Sequence, residues 1–253
     1  MKMNKKLITA LFVVGFAMAL ATLSCAAPLK ARLTRLKGTV SIQTAGKDWI
    51  TAKEGTTVTK GDSVKCGKDS SVFITWGDNA LKLDALSMFT FEDFDAEDSA
   101  SKTTLNLTDG KIFSKVARLN KQSNFSVKTP TAHAGVRGTA FEVTTQRFSV
   151  LEGTIAATAL DNEVLIEAGN YVDISSAGII GQVTNISDSM LQSMTRDNEE
   201  CKDIITEQTT IQESNTTIKD VAETTTNIIP QTTQLPELLP GHGGLQLNVD
   251  VSE

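Results

Sequence analysis

Histidine is almost missing from this chain of 253 residues, in which His133 and His242 are the only two. Neither they nor the three cysteines recur at the paired spacing of a zinc site, so no metal is expected. Around His133 there is no recognisable serine or cysteine nucleophile with an orienting acid, and a lone turn histidine is not a catalytic set. Aromatic residues make up only 5% of the chain. That scarcity points to a core of small and β-branched side chains rather than an aromatic-lined pocket. A clustered cationic block is absent too, with 24 Lys and Arg against 30 Asp and Glu and a formal charge of −6. Nucleic acid is therefore excluded as a partner, because such binding needs a concentrated basic face to displace phosphate counterions. The acidic group Asp93, Asp95, Glu97 and Asp98 lacks the glycine and terminal bidentate acid of an EF-hand loop and reads as a solvated loop. "LTDGKIFSKV" and "GVRGT" set glycine near a cation without Walker spacing or a following helix, so they read as β-turns and no cofactor is expected.

What the chain does have begins at its N-terminus. Lys2, Lys5 and Lys6 precede "LITALFVVGFAMALATL", an uncharged apolar run of about 17 residues, and small residues follow in "SCAAP". Residues 1–25 thus read as a signal peptide with its lipidation region, and the protein as exported. Two processing routes fit. In the preferred one Cys25 becomes the lipid-modified first residue of a membrane-anchored protein. In the other, cleavage after Ala26 releases a soluble protein, and an uncut anchor would also fit the run's length. Loss of the three lysines takes the formal charge from −6 to −9. The remaining Cys66 and Cys201 are free to pair in an oxidising compartment or to stay as thiols.

From residue 33 to 186 the pattern is one of short alternating segments such as "GTVSIQT", "SSVFITWGD", "SMFTFEDF", "AFEVTT" and "EVLIEAGNYVDI". Period two without any sustained helical period predicts an all-β domain, antiparallel and rolled or solenoid-like. Glycine beside Asp or Glu recurs in "TKGDSV", "TWGDNA", "LTDGKI" and "VLEGTI", where the sequence suggests tight hairpins using positive φ. After residue 186 the pattern changes. Met190, Leu191, Met194, Cys201 and Ile205 fall at helical spacing and predict a short helix over 187–206 capped by Ser187 or Ser189. Residues 207–253 read as a low-complexity, largely disordered tail rich in threonine, with a Pro and Gly linker before "LQLNVDV".

One stretch has the density of a motif: "NFSVKTPTAHAGVRGTAFEV", residues 124–143. Together with the Gly61-Asp62 turn, Trp49, the strand pair around Gly77-Asp78 and "LNLTDGKIFSKV", it resembles the FecR domain named after the ferric-citrate regulator. The resemblance covers about residues 36–185. Read physically, Pro130 starts an extended segment, Gly135 and Gly138 permit a sharp turn or bulge, and Phe141 and Val143 enter the core. Arg137 is expected to act as a clasp on a carboxylate, with Asp62 the favoured partner and solvent the alternative. Gly61, Asp62, Pro130, Gly135, Arg137, Gly138 and Thr139 are accordingly structural motif residues, not catalytic ones.

The resemblance implies signalling: the best-known members place a cytoplasmic anti-sigma region and one transmembrane helix ahead of this β domain, which receives a signal from an outer-membrane transporter. Six residues before the apolar run leave no room for that regulator here, and the tail does not resemble the family's further α/β subdomain. The expectation is a stand-alone, non-catalytic envelope protein that binds or scaffolds a protein or cell-wall partner in the periplasm or at the cell surface. An iron-related signalling component in contact with a transporter or sigma regulator is the alternative. A cell-wall-acting enzyme is the least favoured reading, since no convergent carboxylates are visible.

Overall fold

The computed structural model of the protein describes residues 29–97 and 100–226. The signal and lipidation segment, and the tail after Thr226 with "LQLNVDV", lie outside the described residues. In chain order the first strands are β1 (Ala31–Lys37), β2 (Val40–Gln43), β3 (Trp49–Thr51), β4 (Thr57–Val58), β5 (Ser63–Cys66) and β6 (Ser71–Trp76). There follow β7 (Asn79–Leu83), β8 (Met88–Glu97), β9 (Ala100–Asp109), β10 (Lys111–Lys115), β11 (Asn124–Lys128) and β12 (His133–Val136). The last are β13 (Ala140–Thr144), β14 (Arg147–Glu152), β15 (Thr154–Ala159), β16 (Asn162–Glu167), β17 (Asn170–Asp173) and β18 (Thr184–Asn185), before the helix α1 (Asp188–Thr226).

These strands form two nine-stranded sheets. The first runs β18-β17-β14-β13-β10-β7-β6-β1-β4, the second β16-β15-β12-β11-β9-β8-β5-β2-β3. Neither closes into a barrel, and β9 with β11 is the one parallel pairing among the described strands. The all-β expectation holds. The chain lays a strand or a hairpin in one sheet, crosses to the other and returns, which gives the rolled, solenoid-like course. Between the sheets lies one continuous apolar core. The few aromatic residues concentrate there: Trp76 of the first sheet meets Phe91 and Phe94 of the second edge-on at 6.0 and 5.7 Å and stacks on Phe125 at 6.2 Å. Each such contact adds about 0.5 to 1.5 kcal/mol beyond burial.

The recurring glycines stand elsewhere than the sequence suggested. Of the four acid-flanked glycines only Gly77, between β6 and β7, turns a hairpin within one sheet. Gly61, Gly110 and Gly153 have positive φ where the chain passes from one sheet to the other, as do Gly38, Gly138 and Gly169. A crossing, like a tight hairpin, demands an abrupt change of strand direction, so the local signal is the same. At Gly110 the approach is close enough that a Cβ would lie 2.6 Å from the Ser87 Cα. The next residue, Lys111, donates its N–H to Ser87 Oγ at 2.8 Å, and Ser87 Oγ donates to the Ala85 carbonyl at 3.2 Å. The same lock recurs at the neighbouring crossing, where the Thr39 N–H donates to Ser70 Oγ and Ser70 Oγ to the Lys68 carbonyl, both at 2.9 Å.

The two sheets have different outer faces. In the first, β6 and β13 are buried on both sides, whereas β11, β12 and β15 of the second alternate. The difference is made by α1. Ser187 caps it, its Oγ accepting from the Met190 N–H at 3.4 Å, and Met194, Cys201 and Ile204 pack on Phe73, Ala80, Phe113 and Ala140. Leu191, placed by its spacing on the apolar stripe, is instead exposed, and Ile204 takes the buried place. The helix also continues past the expected end at 206, to Thr226. Threonine lowers helix propensity by only tenths of a kcal/mol per residue, too little to end a helix by itself.

Polar contacts hold the helix in place. Lys82 Nζ of β7 lies 2.6 Å from Asp197 Oδ1 and 2.7 Å from Glu200 Oε2. Burial pulls the Lys82 pKa down, but the hydrogen bonds to Asp197 and Glu200 outweigh it and leave it above the ordinary lysine value. Glu152 receives Lys115 and, at 2.8 Å, the Asn198 amide. The Lys115 hydrogen bond, opposed by partial burial, lowers the Glu152 pKa. Cys66 and Cys201 are both free and buried in different parts of the core, and burial above all pushes each thiol up to about 12.

Candidate functional site

Thr129 and Pro130 open the loop between β11 and β12. Thr129 donates its N–H to the Ala132 carbonyl at 2.8 Å, and its Oγ1 accepts from the Ala132 N–H at 3.2 Å, which closes the turn locally. β12 then crosses the second sheet between β11 and β15, with Gly135 opposite Ser126 on one side and Ala156 on the other. Arg137, Gly138 and Thr139 make the crossing to β13. Gly138 has φ 77°, and a Cβ on it would lie 2.7 Å from the Arg118 Cα of the overlying loop. Thr139 is buried beneath Gly153, where a Cβ would lie 2.6 Å from its methyl group, while its carbonyl accepts from the Val116 N–H at 2.8 Å. "GVRGT" is thus a close-packed corner made by backbone and small residues.

The arginine in that corner does not clasp anything. Arg137 is exposed and forms no ion pair or side-chain hydrogen bond among the described residues, contrary to the expected bond to Asp62. Sheet order explains why. Asp62 precedes β5, which β8, β9 and β11 separate from β12, and four spacings of about 4.8 Å put the two beyond an arginine's reach. Asp62 instead serves its own turn: its Oδ2 accepts from the Thr59 N–H at 2.8 Å and Oγ1 at 3.1 Å, and Gly61 donates its N–H to the Phe91 carbonyl at 2.7 Å.

What the corner borders is an open trough on the outer face of the second sheet. A volume of about 440 Å³ is lined by Lys121, Phe125, Gly135, Arg137, Ala156 and Leu165, among others. Its floor is low because the register aligns Thr104, Ser126, Gly135 and Ala156 in one row that ends at Leu165, itself 63% exposed. The rest of the face is polar. Thr104 Oγ1 lies 3.2 Å from Asp93 Oδ2 and 3.2 Å from Ser126 Oγ, and Ser63 Oγ lies 2.7 Å from Thr90 Oγ1. The expected acidic loop is in part strand: Asp93 and Asp95 sit on β8 and pair with Lys60 at 3.3 and 2.5 Å, and Lys102 adds a contact to Asp93 at 3.0 Å. Those lysines, with desolvation opposing, lower the Asp93 pKa. Among the described residues no three potential metal ligands come together.

Sequence reading selected Gly135, Arg137, Gly138 and Thr139, which the structure does bring to this corner. It missed Lys121, Arg118 and Leu165, which local pattern cannot select because the trough exists only once β11, β12, β15 and β16 are side by side. Pro130 lies at the far end of β12, away from Gly138.

A two-sheet β domain with one outer face closed by a helix and the other open is an architecture and not yet a function, and comparison with known proteins adds a family match. Residues 62–156 match the family model described as FecR protein. No curated protein matches the chain. Among solved structures it is similar to two crystal structures, at 1.65 and 2.50 Å, of "a putative anti-sigma factor from Parabacteroides distasonis". Each is 17% identical with a TM-score of 0.41, over 49% of this chain and 59% of that one.

Proposed function

We propose that this protein is a non-catalytic FecR-domain protein of the cell envelope, exported by its N-terminal segment, held to a membrane by lipid on Cys25, and binding a protein or cell-wall partner through the outer face of the second sheet. The observation that supports the binding face is the unequal finish of the two sheets. α1 covers the outer face of one, while the other keeps a small-residue trough floored by Gly135 and Ala156 beside an exposed Leu165. Exposed extended backbone at a sheet's edge adds a way to hold an extended peptide.

A photo-cross-linking residue placed at Ala156 tests the face in living cells. A discrete adduct is expected there and not from the same residue at Asp161, on the β15–β16 turn. Identical adducts from both, or none from either, would count against the second sheet as the binding face. For the anchor, a fatty-acid analogue should label the wild type and not Cys25→Ala; a soluble mature protein beginning at Ala27 would refute it.

A further inference from the structure

The described chain begins at one particular end of the sandwich. Ala31 pairs with Val58 and Arg32 with Thr75, which sets the entering strand beside the Gly77-Asp78 hairpin tip. Leu29 packs against the core and shares a crevice of about 130 Å³ with Trp76, Leu119, Asn124 and Phe125. The "GVRGT" corner lies at the same end, because Val136 stands opposite both Phe125 and Ile155, and Gly138 lies under Arg118. Four exposed cations therefore gather around the entry of the chain: Lys30, Arg118, Lys121 and Arg137. Lys121 and Arg137 line the same trough, and none of the four is ion-paired among the described residues. Carboxylates stand at this end too: Asp78 at the hairpin tip and Glu167 opposite Thr154 are exposed, while Asp95 and Glu152 are already paired with Lys60 and Lys115.

From these placements we infer that this end of the sandwich is its membrane-facing end, with Arg118, Lys121, Arg137 and Lys30 laid on an anionic lipid surface. The inference rests on the proposed anchor at Cys25. Three residues lie between Cys25 and Leu29, and an extended chain spans at most about 14 Å over those four Cα steps. A domain tethered so closely by the residue that packs on its end cannot turn its other end to the bilayer. Four unpaired cations on an otherwise acidic protein match that placement, since basic side chains near an anionic surface are attracted within about a Debye length, some 8 to 10 Å. The opposite end, with the Leu160-Asp161 turn, stands about 20 Å away along the six-residue strand β15 and points outward.

The experiment uses the full-length processed protein in vesicles of three parts phosphatidylcholine to one part phosphatidylglycerol. A fluorophore is attached at Gln122→Cys or at Asp161→Cys, both exposed positions, under native conditions that leave the buried Cys66 and Cys201 unlabelled. Headgroup-nitroxide lipid should quench the label at 122 at least threefold more than that at 161. The variant Arg118→Glu, Lys121→Glu, Arg137→Glu should reduce quenching at 122, and so should pure phosphatidylcholine. Vesicle flotation reports the anchor independently. If the protein floats and the two labels are quenched equally, or 161 more, the orientation is wrong and the anchor stands; if it fails to float, both are refuted. Unchanged quenching in the charge-reversed variant overturns the role given to the cations.

Discussion

Ser87 and Gly110 meet so closely that a Cβ on residue 110 would lie 2.1 Å from Ser87 Oγ and 2.6 Å from Ser87 Cα. The serine comes from the turn before β8 and the glycine from the crossing after β9, so the contact ties together two passages between the sheets. Gly110→Ala meets both a left-handed φ of 77° and backbone in its way, and should cost roughly 2 to 5 kcal/mol in urea unfolding. Ser87→Ala leaves the Lys111 N–H without its acceptor and should cost about 1 to 3 kcal/mol. Gly46, with positive φ but no atom within 4 Å of its Cβ position, is the control, and Gly46→Ala should lose only about 1 to 2 kcal/mol.

At the "GVRGT" corner the two central residues should behave oppositely. Arg137 is exposed and unpaired among the described residues, so Arg137→Ala should change stability by no more than about 0.5 kcal/mol. Gly138→Val should cost about 3 kcal/mol or more, since a β-branched residue would be forced to φ 77° with backbone of Arg118 at 2.7 Å. Urea melts of the two variants decide the matter. A large loss in Arg137→Ala would restore the clasp that the sheet order denies.

Lys82 joins β7 to the helix through two carboxylates, of which Asp197 is buried and Glu200 is part-exposed. Lys82→Met strands the Asp197 charge and should cost about 2 to 3 kcal/mol, less than for a fully buried pair because Glu200 reaches water. Adding Asp197→Leu removes the stranded charge and should recover part of the loss, which a double-mutant cycle measures.

The acid limb of stability should carry the mark of Glu152. Its pKa is lowered in the fold, first by the Lys115 hydrogen bond, so its contribution is full above the ordinary glutamate value of 4.5 and fades as pH falls toward the lowered value. Glu152→Gln should flatten the thermal midpoint between pH 5 and 3 relative to wild type. Identical pH profiles would show that Lys115 and Asn198 gain nothing from the carboxylate's charge.

Two truncations measure how much of the helix the β domain needs. Ending the chain after Thr209 keeps Met194, Cys201 and Ile204 and should shift the thermal midpoint by no more than about 2 °C. Ending it after Ile186 uncovers Phe73 and Phe113 and should lower the midpoint by the order of 10 °C, with aggregation through the exposed patch. A drop of that size at the first truncation would show that residues beyond 209 belong to the stable unit.

By itself the sequence determined that residues 33–186 make strands, because the alternation in segments such as "NFSVKT" and "AFEVTT" suits a half-buried sheet and no helical period competes. It also determined where the chain must bend sharply, since Gly61, Gly110, Gly138 and Gly153 are marked by their own backbone freedom. Whether a bend is a hairpin or a crossing depends on which strands pair, and pairing is decided by long-range packing that a glycine does not encode. The same holds for Arg137, whose neighbours Lys121 and Leu165 come from other strands, and for Asp62, which three intervening strands keep away from it. Which face of the sandwich stays open was decided last of all, by α1 settling on Phe73 and Phe113 of the first sheet. The burial of those side chains on the outer side of a sheet looks no different in sequence from burial in the core.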